Sequence, residues 1–381
     1  MPTPLLFVDH AQQLGGAEHS LLMLIQHLDR SLWQPQLACP PGELADAAQR
    51  LNIPWNNLSL PRLRRSLKVG ADWLRASRTL RTIAHKIDAK VLVANTVRAA
   101  FYTSVAAKLA KRPFIWHMRD FWLSESPPRY RSVDALLKKA LCASAAHVVA
   151  NSAATASHLP CANVTVVHNG IDLTRFSDGD DGTLFRQAYD IPQNAPLIGI
   201  VGRLRPWKGQ HHFVEMAATV SQTHPTPQFV IVGGSIFDKE NDYTNFLKEL
   251  AQSHDLGDKV HFTGQISNTA RAFAAIDIFV HSGDPEPFGL VNIEAMAASK
   301  PVVAFAHGAL PEIVVHGETG LLVPPSDIPA LATAVQSLLD APEHAEQLGM
   351  AGRSRVHMLF TIQQTAERFS LLLQQTLKDA K

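Results

Sequence analysis

Residues 278–299, IFVHSGDPEPFGLVNIEAMAAS, carry a clear succession of strand, turn and helix signals. The stretch opens with a short apolar run typical of a buried strand, and Pro287 and Gly289 then mark a turn. The residues from there to Ser299 are expected to form a helix. A strand that turns sharply into a helix is half of a βαβ unit, so the stretch predicts a parallel sheet covered by helices.

The same alternation of short apolar runs and helix-length segments extends in both directions along the chain. Strands are predicted at residues 5–9, 91–94, 114–117, 147–150 and 164–167, and again at 197–201, 229–232, 260–262, 278–280, 302–305 and 321–323. Residues 169–182 between the two sets are rich in glycine and aspartate, as linkers are. We therefore expect an α/β protein with two doubly wound, Rossmann-like parallel-sheet domains that face a central cleft.

The composition is that of a globular protein, with 381 residues, 46% hydrophobic and 18% charged, and a net charge of +1. These values exclude a disordered chain and a uniformly basic nucleic-acid-binding protein. The charge is uneven, because residues through Arg175 hold 21 basic and 11 acidic side chains and the rest hold 14 and 23. The two halves are therefore expected to meet different surroundings.

The cysteines and the apolar runs bear on the compartment. Cys39, Cys142 and Cys161 show neither metal-ligand spacing nor a disulfide framework, which favours three buried thiols in a reducing compartment. The apolar runs are too short for a signal-peptide core or a transmembrane helix. We expect a cytoplasmic protein, with contact at the inner face of the plasma membrane left open.

Two glutamates flank the turn in the opening stretch. Backbone N–H groups of Gly289, Leu290 and Val291 at the start of the helix would be unpaired donors, which suits phosphate. Glu286 and Glu294 can reach opposite ends of one ligand, and carboxylates accept hydrogen bonds from the vicinal hydroxyls of a sugar or ribose. The alternative is that Glu294 is an ordinary helix-surface residue.

The loop at residues 202–209, GRLRPWKG, lies between a predicted strand and a predicted helix. Arg203 can bind two phosphate oxygens at once, and Lys208 is a mobile point charge, so together they suit a pyrophosphate. Solvated loop residues are an equally good interpretation.

Three weaker signals also follow predicted strands. Gly15 and Gly16 would let a ligand approach the backbone, although the chain lacks the dinucleotide fingerprint and the P-loop. His117 lies on the crevice side, where it could hydrogen-bond a substrate hydroxyl. Gly308 and Glu312 are expected at the same crevice as Glu286.

In their order and spacing, these motifs resemble a family 4 glycosyltransferase of the retaining, GT-B type. The resemblance runs nearly end to end and is carried by residues 15–18 (GGAE), 167–172 (VHNGID), 202–209, 286–294 (EPFGLVNIE) and 311–325. It implies an acceptor-side domain at 1–178, a nucleotide-sugar domain at 179–360, and a last helix at 361–381 that crosses back to the first. It also implies that no metal and no cofactor beyond the nucleotide-sugar substrate is needed.

The resemblance assigns roles to individual residues. Glu286, His117, Arg203 and Lys208 would be catalytic, with Glu286 on the donor sugar and His117 beside it. Donor-binding residues would be Gly16, Arg203, Lys208, Phe288, Gly289, Leu290, Val291 and Glu294. Ala309 stands where relatives often have a second glycine, and Asp120 departs from an adjacent His-Asp pair, so its role stays open.

The implied reaction moves a hexosyl group from a nucleotide-diphosphate sugar to a hydroxyl of a saccharide or lipid-linked saccharide, in envelope polysaccharide or glycolipid synthesis. Alternatives are a sugar-nucleotide epimerase, a phosphorylase, or a non-catalytic nucleotide-sugar sensor. Residues 61–86 are strongly basic and amphipathic. They suit either an anionic membrane surface or a helix packed on the sheet with a solvated basic side.

Overall fold

The computed structural model describes residues 1–61, 69–121, 131–176, 182–234 and 241–380. The chain divides into two compact units, Met1–Gly170 with Ile362–Lys381, and Ile171–Thr361. The predicted boundary between residues 178 and 179 lies outside the described residues.

The first unit is built on a parallel sheet. Its strands are β1 (Thr3–Val8), β2 (Trp33–Cys39), β3 (Trp55–Asn57), β4 (Val91–Ala94), β5 (Phe114–Met118), β6 (His147–Ala150) and β7 (Val164–Val166). They lie in the order β3-β2-β1-β4-β5-β6-β7. The connecting helices are α1 (Gly16–His27), α2 (Glu43–Arg50), α3 (Val69–Lys86), α4 (Val97–Ala110), α5 (Arg131–Ser144) and α6 (Ala153–Ser157).

The second unit repeats this architecture. Its strands are β8 (Leu197–Val201), β9 (Gln228–Val232), β10 (Val260–Gly264), β11 (Ile278–His281), β12 (Val302–Phe305) and β13 (Gly320–Val323), in the order β10-β9-β8-β11-β12-β13. Its helices are α7 (Thr183–Ala188), α8 (Gln210–Thr223), α9 (Asn241–Ser253), α10 (Thr269–Ala275), α11 (Leu290–Ala297), α12 (Leu310–Ile313), α13 (Ile328–Asp340) and α14 (Pro342–Leu359). Short 3₁₀ turns occupy Leu173–Phe176 and Pro206–Lys208.

The last helix, α15 (Ile362–Asp379), belongs to the first unit. Its residues Phe369 and Leu373 are fully buried among the side chains of β1 and α1. In each unit the strand order reverses where β1 meets β4 and where β8 meets β11, which is where such sheets open a ligand crevice at their carboxyl ends. The prediction of two doubly wound parallel-sheet domains is confirmed.

Two strands of the first sheet were not predicted from the sequence, β2 and β3. β2 contains Pro35, which lacks the N–H that a ladder needs, and its polar Gln34 interrupts the apolar run. The strand forms nevertheless, because Trp33 and Leu37 are buried beside β1. Burial of these large side chains outweighs the missing hydrogen bond.

The cysteine prediction is wrong for two of the three residues. Cys142 and Cys161 form a disulfide, with Cα atoms 5.1 Å apart, and only Cys39 is a buried free thiol. The end of α5 and the segment before β7 both lie beside β6, so residues 19 apart in sequence meet there. Because two of the three cysteines form a disulfide, the cysteines no longer support the expectation of a reducing compartment.

The basic segment is partly described, since Arg62, Arg64, Arg65 and Lys68 lie outside the described residues. On α3, Leu80 and Ala84 are buried in the core of the first unit. Trp73 packs against that core and donates from Nε1 to the Phe101 carbonyl at 3.1 Å. The outward side of the helix carries Arg75, Arg78 and Arg81 together with the exposed Leu74. Within the described ranges no helix is long and apolar enough to cross a bilayer.

Candidate functional site

Lys208 and Glu286 lie in neighbouring loops of the second unit. Lys208 ends the 3₁₀ turn that follows β8, and Glu286 follows β11. β8 and β11 are adjacent, with Ile198 opposite Ile278, so their carboxyl ends and the loops that follow emerge side by side. Two residues 78 apart in sequence are thereby brought into contact.

Glu286 is the centre of a buried charge cluster. Its Oε1 forms an ion pair with Lys208 Nζ and lies 3.5 Å from His281 Nε2, while the residue is only 6% exposed. Burial alone would raise the pKa of Glu286, but the positive charge of Lys208 and the contact with His281 outweigh it and lower the pKa to about 2. Glu286 is therefore an ionised hydrogen-bond acceptor at neutral pH. The Lys208 ammonium also lies 4.4 Å from the centre of the exposed Trp207 ring.

Two glycines set the positions of these loops. Gly209 has a φ of +72°, and a Cβ there would overlap the Ser282 carbonyl. Ser282 Oγ donates to the Gly209 carbonyl at 2.8 Å, which ties the two loops together. Gly308, with a φ of +55°, brings its loop against Glu286, where a Cβ would lie 2.5 Å from the Glu286 carbonyl oxygen.

The loop after β12 also supports the turn. Ala309, which stands where relatives often have a second glycine, is fully buried and donates its N–H to the Glu286 carbonyl at 3.0 Å. Glu312 is half-buried, and its backbone carbonyl accepts from Arg355 Nη2 at 2.9 Å. The structure thus brings Gly308 and Ala309 to the Glu286 turn, as backbone supports.

The start of α11 has the predicted geometry. Gly289 adopts a φ of +81° and caps the helix, so the N–H groups of Leu290 and Val291 are in its first turn, where N–H groups have no acceptor within the helix. Phe288 is 2% exposed, and its ring packs edge-on against Phe360 at 6.0 Å. The Phe288 side chain therefore anchors the turn in the core.

Glu294 lies on the first turns of the same helix. Its Oε1 is 3.6 Å from Arg175 Nη1, and its side chain is 13% exposed. Burial raises the pKa of Glu294 to about 7, although Arg175 acts in the opposite direction. Near neutral pH this carboxyl group therefore carries a fractional charge.

The pKa of Glu294 predicts a pH dependence of stability. A raised acid pKa means that the folded protein binds this proton more tightly than the unfolded chain, so stability falls as pH rises from about 4.5 to about 7. Glu294→Gln removes that loss. We therefore expect the free energy of unfolding of the variant, minus that of wild type, to be larger at pH 8 than at pH 5 by up to roughly 3 kcal/mol. Urea unfolding at both pH values measures this. Glu318→Gln, at an exposed position, is the control, and equal pH profiles for wild type and Glu294→Gln would contradict the prediction.

Arg203 lies at the surface of the loop that carries Lys208. It is exposed, and its carbonyl accepts a hydrogen bond from Gln210 Nε2 at 2.9 Å. Among the described residues we find no ion pair between its side chain and Glu286. The structure fixes its backbone on the same loop as Lys208 and leaves its guanidinium at the surface.

The remaining predicted site residues lie in the first unit. Gly16 is exposed and is the first residue of α1. The preceding Gly15 donates its N–H to Glu18 Oε2 at 2.9 Å. His117 is in β5, 1% exposed, with its ring stacked on Phe369 at 5.3 Å. Burial, and then the charge of Arg119, hold the pKa of His117 well below its usual value, so the ring is neutral at pH 7.

A buried polar network around Arg119 was not predicted from the sequence. Its guanidinium donates to Asn95 Oδ1 at 2.5 Å, to Ser20 Oγ at 2.5 Å and to Asn169 Oδ1 at 2.7 Å. Asn95 Nδ2 in turn donates to Asp9 Oδ2 at 2.6 Å. A signal was present, because Asp9, Asn95 and Arg119 each directly follow a strand. Asp120, beside Arg119, accepts from the Phe121 N–H at 2.8 Å.

Models of known protein families match both units of the chain. The family model described as Glycosyl transferases group 1 matches residues 181–355, and the model described as Glycosyltransferase Family 4 matches residues 14–175. Each match falls mostly in one of the two units, and together they span most of the chain. The chain belongs to the family 4 glycosyltransferases, which have the GT-B architecture of two Rossmann-like domains.

Individual relatives support this assignment. The lipopolysaccharide core biosynthesis mannosyltransferase LpsB of Rhizobium meliloti is 30% identical over 233 residues, which cover 61% of this chain and 66% of LpsB. A GDP-mannose-dependent monoacylated alpha-(1-6)-phosphatidylinositol monomannoside mannosyltransferase of Corynebacterium glutamicum is 31% identical over 231 residues, 58% of this chain and 56% of that protein. The matches thus span between about half and two thirds of these curated relatives.

Among solved structures, HepE of Anabaena in complex with UDP has a TM-score of 0.86 to this chain. The two are 25% identical, and the match covers 98% of this chain and 100% of HepE. The same protein has been solved with UDP-glucose, with a TM-score of 0.83.

Proposed function

We propose that this protein is a retaining, metal-independent glycosyltransferase that moves a hexosyl group from a nucleotide-diphosphate sugar to a hydroxyl of a saccharide or lipid-linked saccharide. The observation that carries the proposal is the ion pair between Lys208 and the buried Glu286, which lies three residues before Gly289, the N-cap of α11. Together, the pair and the start of α11 supply a cation, an ionised carboxylate and unpaired N–H groups, which suit a diphosphate joined to a polyhydroxylated ring.

The donor would be held by this combination. The Lys208 ammonium and the N–H groups of Leu290 and Val291 would face the diphosphate, and Arg203 can reach it from the surface. Glu286 would accept hydrogen bonds from hydroxyls of the sugar, and Glu294 from the ribose. Because Lys208 is already paired with Glu286, a diphosphate would compete for the ammonium and free a carboxylate oxygen for the sugar.

The reaction would break the bond between the anomeric carbon and the diphosphate oxygen. The acceptor oxygen would bond to the same face of that carbon, and its proton would pass to the departing phosphate. Lys208, Arg203 and the start of α11 stabilise the negative charge that develops on the diphosphate, so no metal ion is required. Glu286 makes a poor nucleophile here because Lys208 and His281 stabilise its carboxylate.

The acceptor class is supported by the relatives. LpsB is named for lipopolysaccharide core synthesis and the Corynebacterium enzyme for a phosphatidylinositol mannoside, and both products carry saccharide on a lipid. A protein that acts on such an acceptor would work in the cytoplasm at the inner face of the membrane. The outward basic side of α3 is where we propose electrostatic contact with anionic lipid.

The test is acceptor-dependent release of nucleoside diphosphate. UDP-, GDP- and ADP-hexoses are supplied with saccharide and lipid-linked saccharide acceptors in the presence of EDTA. We expect one donor to release nucleoside diphosphate only when acceptor is added, and to give a product with the donor's anomeric configuration. A donor at 100 times its Kd should also stabilise the fold by about 2.7 kcal/mol, which a thermal-shift assay detects.

The alternatives give different results. An epimerase would change the sugar without releasing diphosphate, and a phosphorylase would need inorganic phosphate as acceptor. A sensor would bind the nucleotide sugar and release nothing. Any of these three outcomes would refute the transferase proposal, and loss of activity in EDTA would refute metal independence.

A further inference from the structure

His117 has one ring nitrogen engaged and one unengaged. Its Nδ1 lies 3.3 Å from Arg119 Nη2. Its Nε2 is buried and makes no hydrogen bond to any residue that the structure describes. One face of the ring stacks on Phe369, and its Nδ1 edge lies against Arg119, so the orientation of the ring is fixed.

Arg119 is itself immobilised. Its Nε bonds to Asn95, and its Nη1 to both Ser20 and Asn169, so three segments of the first unit hold one guanidinium. Asn151 Nδ2 also donates to the backbone carbonyl of Arg119 at 3.1 Å. Burial lowers the pKa of Arg119 to about 9, with Asp9 and Glu18 opposing, so the group stays charged at pH 7.

The chemistry of the two groups then decides where the imidazole proton lies. A guanidinium only donates hydrogen bonds, so the His117 Nδ1 that faces it must present a lone pair. A neutral imidazole carries one N–H, and that N–H must therefore be on Nε2. The unengaged nitrogen of His117 is a donor and has no lone pair in the ring plane with which to accept a proton.

We propose that Arg119 is a positioning residue that holds His117 in the Nε2–H tautomer, so that His117 donates a hydrogen bond to an oxygen of the hexosyl substrate. The assignment of that oxygen to a sugar rests on the proposed function. An imidazole fixed in this way cannot act as the general base for the acceptor. The acceptor proton must therefore leave by another route, in agreement with its transfer to the departing phosphate.

The tautomer can be read directly by nitrogen NMR on protein labelled at histidine. The His117 signals are assigned by their loss in His117→Gln. We expect wild type to show an unprotonated Nδ1 and a protonated Nε2. Arg119→Lys keeps a hydrogen-bond donor and should keep this tautomer. Arg119→Met removes the donor and should give a mixture of the Nδ1–H and Nε2–H tautomers.

Asn151→Ser is the matched control for disturbance of the same buried network. It removes the hydrogen bond to the Arg119 backbone and leaves the guanidinium in place, so the tautomer should be unchanged. A wild-type ring protonated on Nδ1, or an Arg119→Met ring that stays wholly in the Nε2–H form, would overturn the proposal.

Substrate donation is tested by two replacements that mimic different ring nitrogens. The amide nitrogen of Gln can occupy the place of Nε2, and that of Asn the place of Nδ1. We expect His117→Gln to keep at least tenfold more kcat/KM than His117→Asn, and equal losses would refute donation from Nε2. If the chain transfers no sugar at all but shows the predicted tautomers, the proposed function fails while the role of Arg119 stands.

Discussion

Replacing Lys208 with alanine should lower turnover by about 10²–10³-fold, because one preorganised charge contact to the departing diphosphate is lost. Lys208 forms an ion pair with the ionised Glu286, and its ammonium is held between that carboxylate and the Trp207 ring. Steady-state release of nucleoside diphosphate measures the effect. Turnover close to wild type in a folded variant would remove Lys208 from the mechanism.

The same substitution also leaves Glu286 buried without its main partner. Breaking a buried pair from one side typically destabilises by roughly 3–5 kcal/mol, so lost activity alone would be ambiguous. The control is the double variant Lys208→Met with Glu286→Gln, which removes both charges and should recover most of the stability. It should not recover turnover. A double variant that is both stable and active would show that the pair serves only the fold.

The second large effect is expected at Gly209. An alanine there must adopt a left-handed φ near +72° and must also push its Cβ against the Ser282 carbonyl. We expect a loss of about 2–4 kcal/mol in the free energy of unfolding, together with weaker donor binding, because the loops of Lys208 and Glu286 are forced apart. Denaturant unfolding and donor titration measure the two effects.

Gly317→Ala separates conformation from contact. Gly317 has a similar φ of +77°, but a Cβ there meets nothing within 4 Å. Only the left-handed strain remains, so we expect a loss of about 1 kcal/mol and unchanged donor affinity. If the two alanine variants lose equal stability and bind the donor equally well, a Cβ at position 209 does not force the two loops apart, and the prediction is wrong.

Much of the fold is readable in the sequence because most strands are unbroken apolar runs. β4, β6, β8 and β12 begin and end where the pattern predicts, because their apolar side chains are buried on both faces of the sheet. β2 was missed because its burial depends on β1 and β3, which a local pattern does not report.

The site was predictable at the level of loops and less so at the level of contacts. Lys208 and Glu286 were both expected at the carboxyl ends of strands, but their ion pair and the approach of His281 depend on which strands are neighbours. The Arg119 network includes a hydrogen bond between Ser20 and Asn169, which are 149 residues apart, and the Cys142–Cys161 disulfide likewise depends on three-dimensional packing. Long-range pairing of this kind has no local signature.

In the proposed mechanism the second unit holds the diphosphate of an activated sugar on Lys208 and the start of α11. A crystal structure of the protein with a bound nucleotide sugar tests this placement. We expect diphosphate oxygens within hydrogen-bonding distance of Lys208 Nζ and the N–H groups of Leu290 and Val291, with a sugar hydroxyl on Glu286. A diphosphate bound away from Lys208, with the Lys208–Glu286 pair undisturbed, would contradict it.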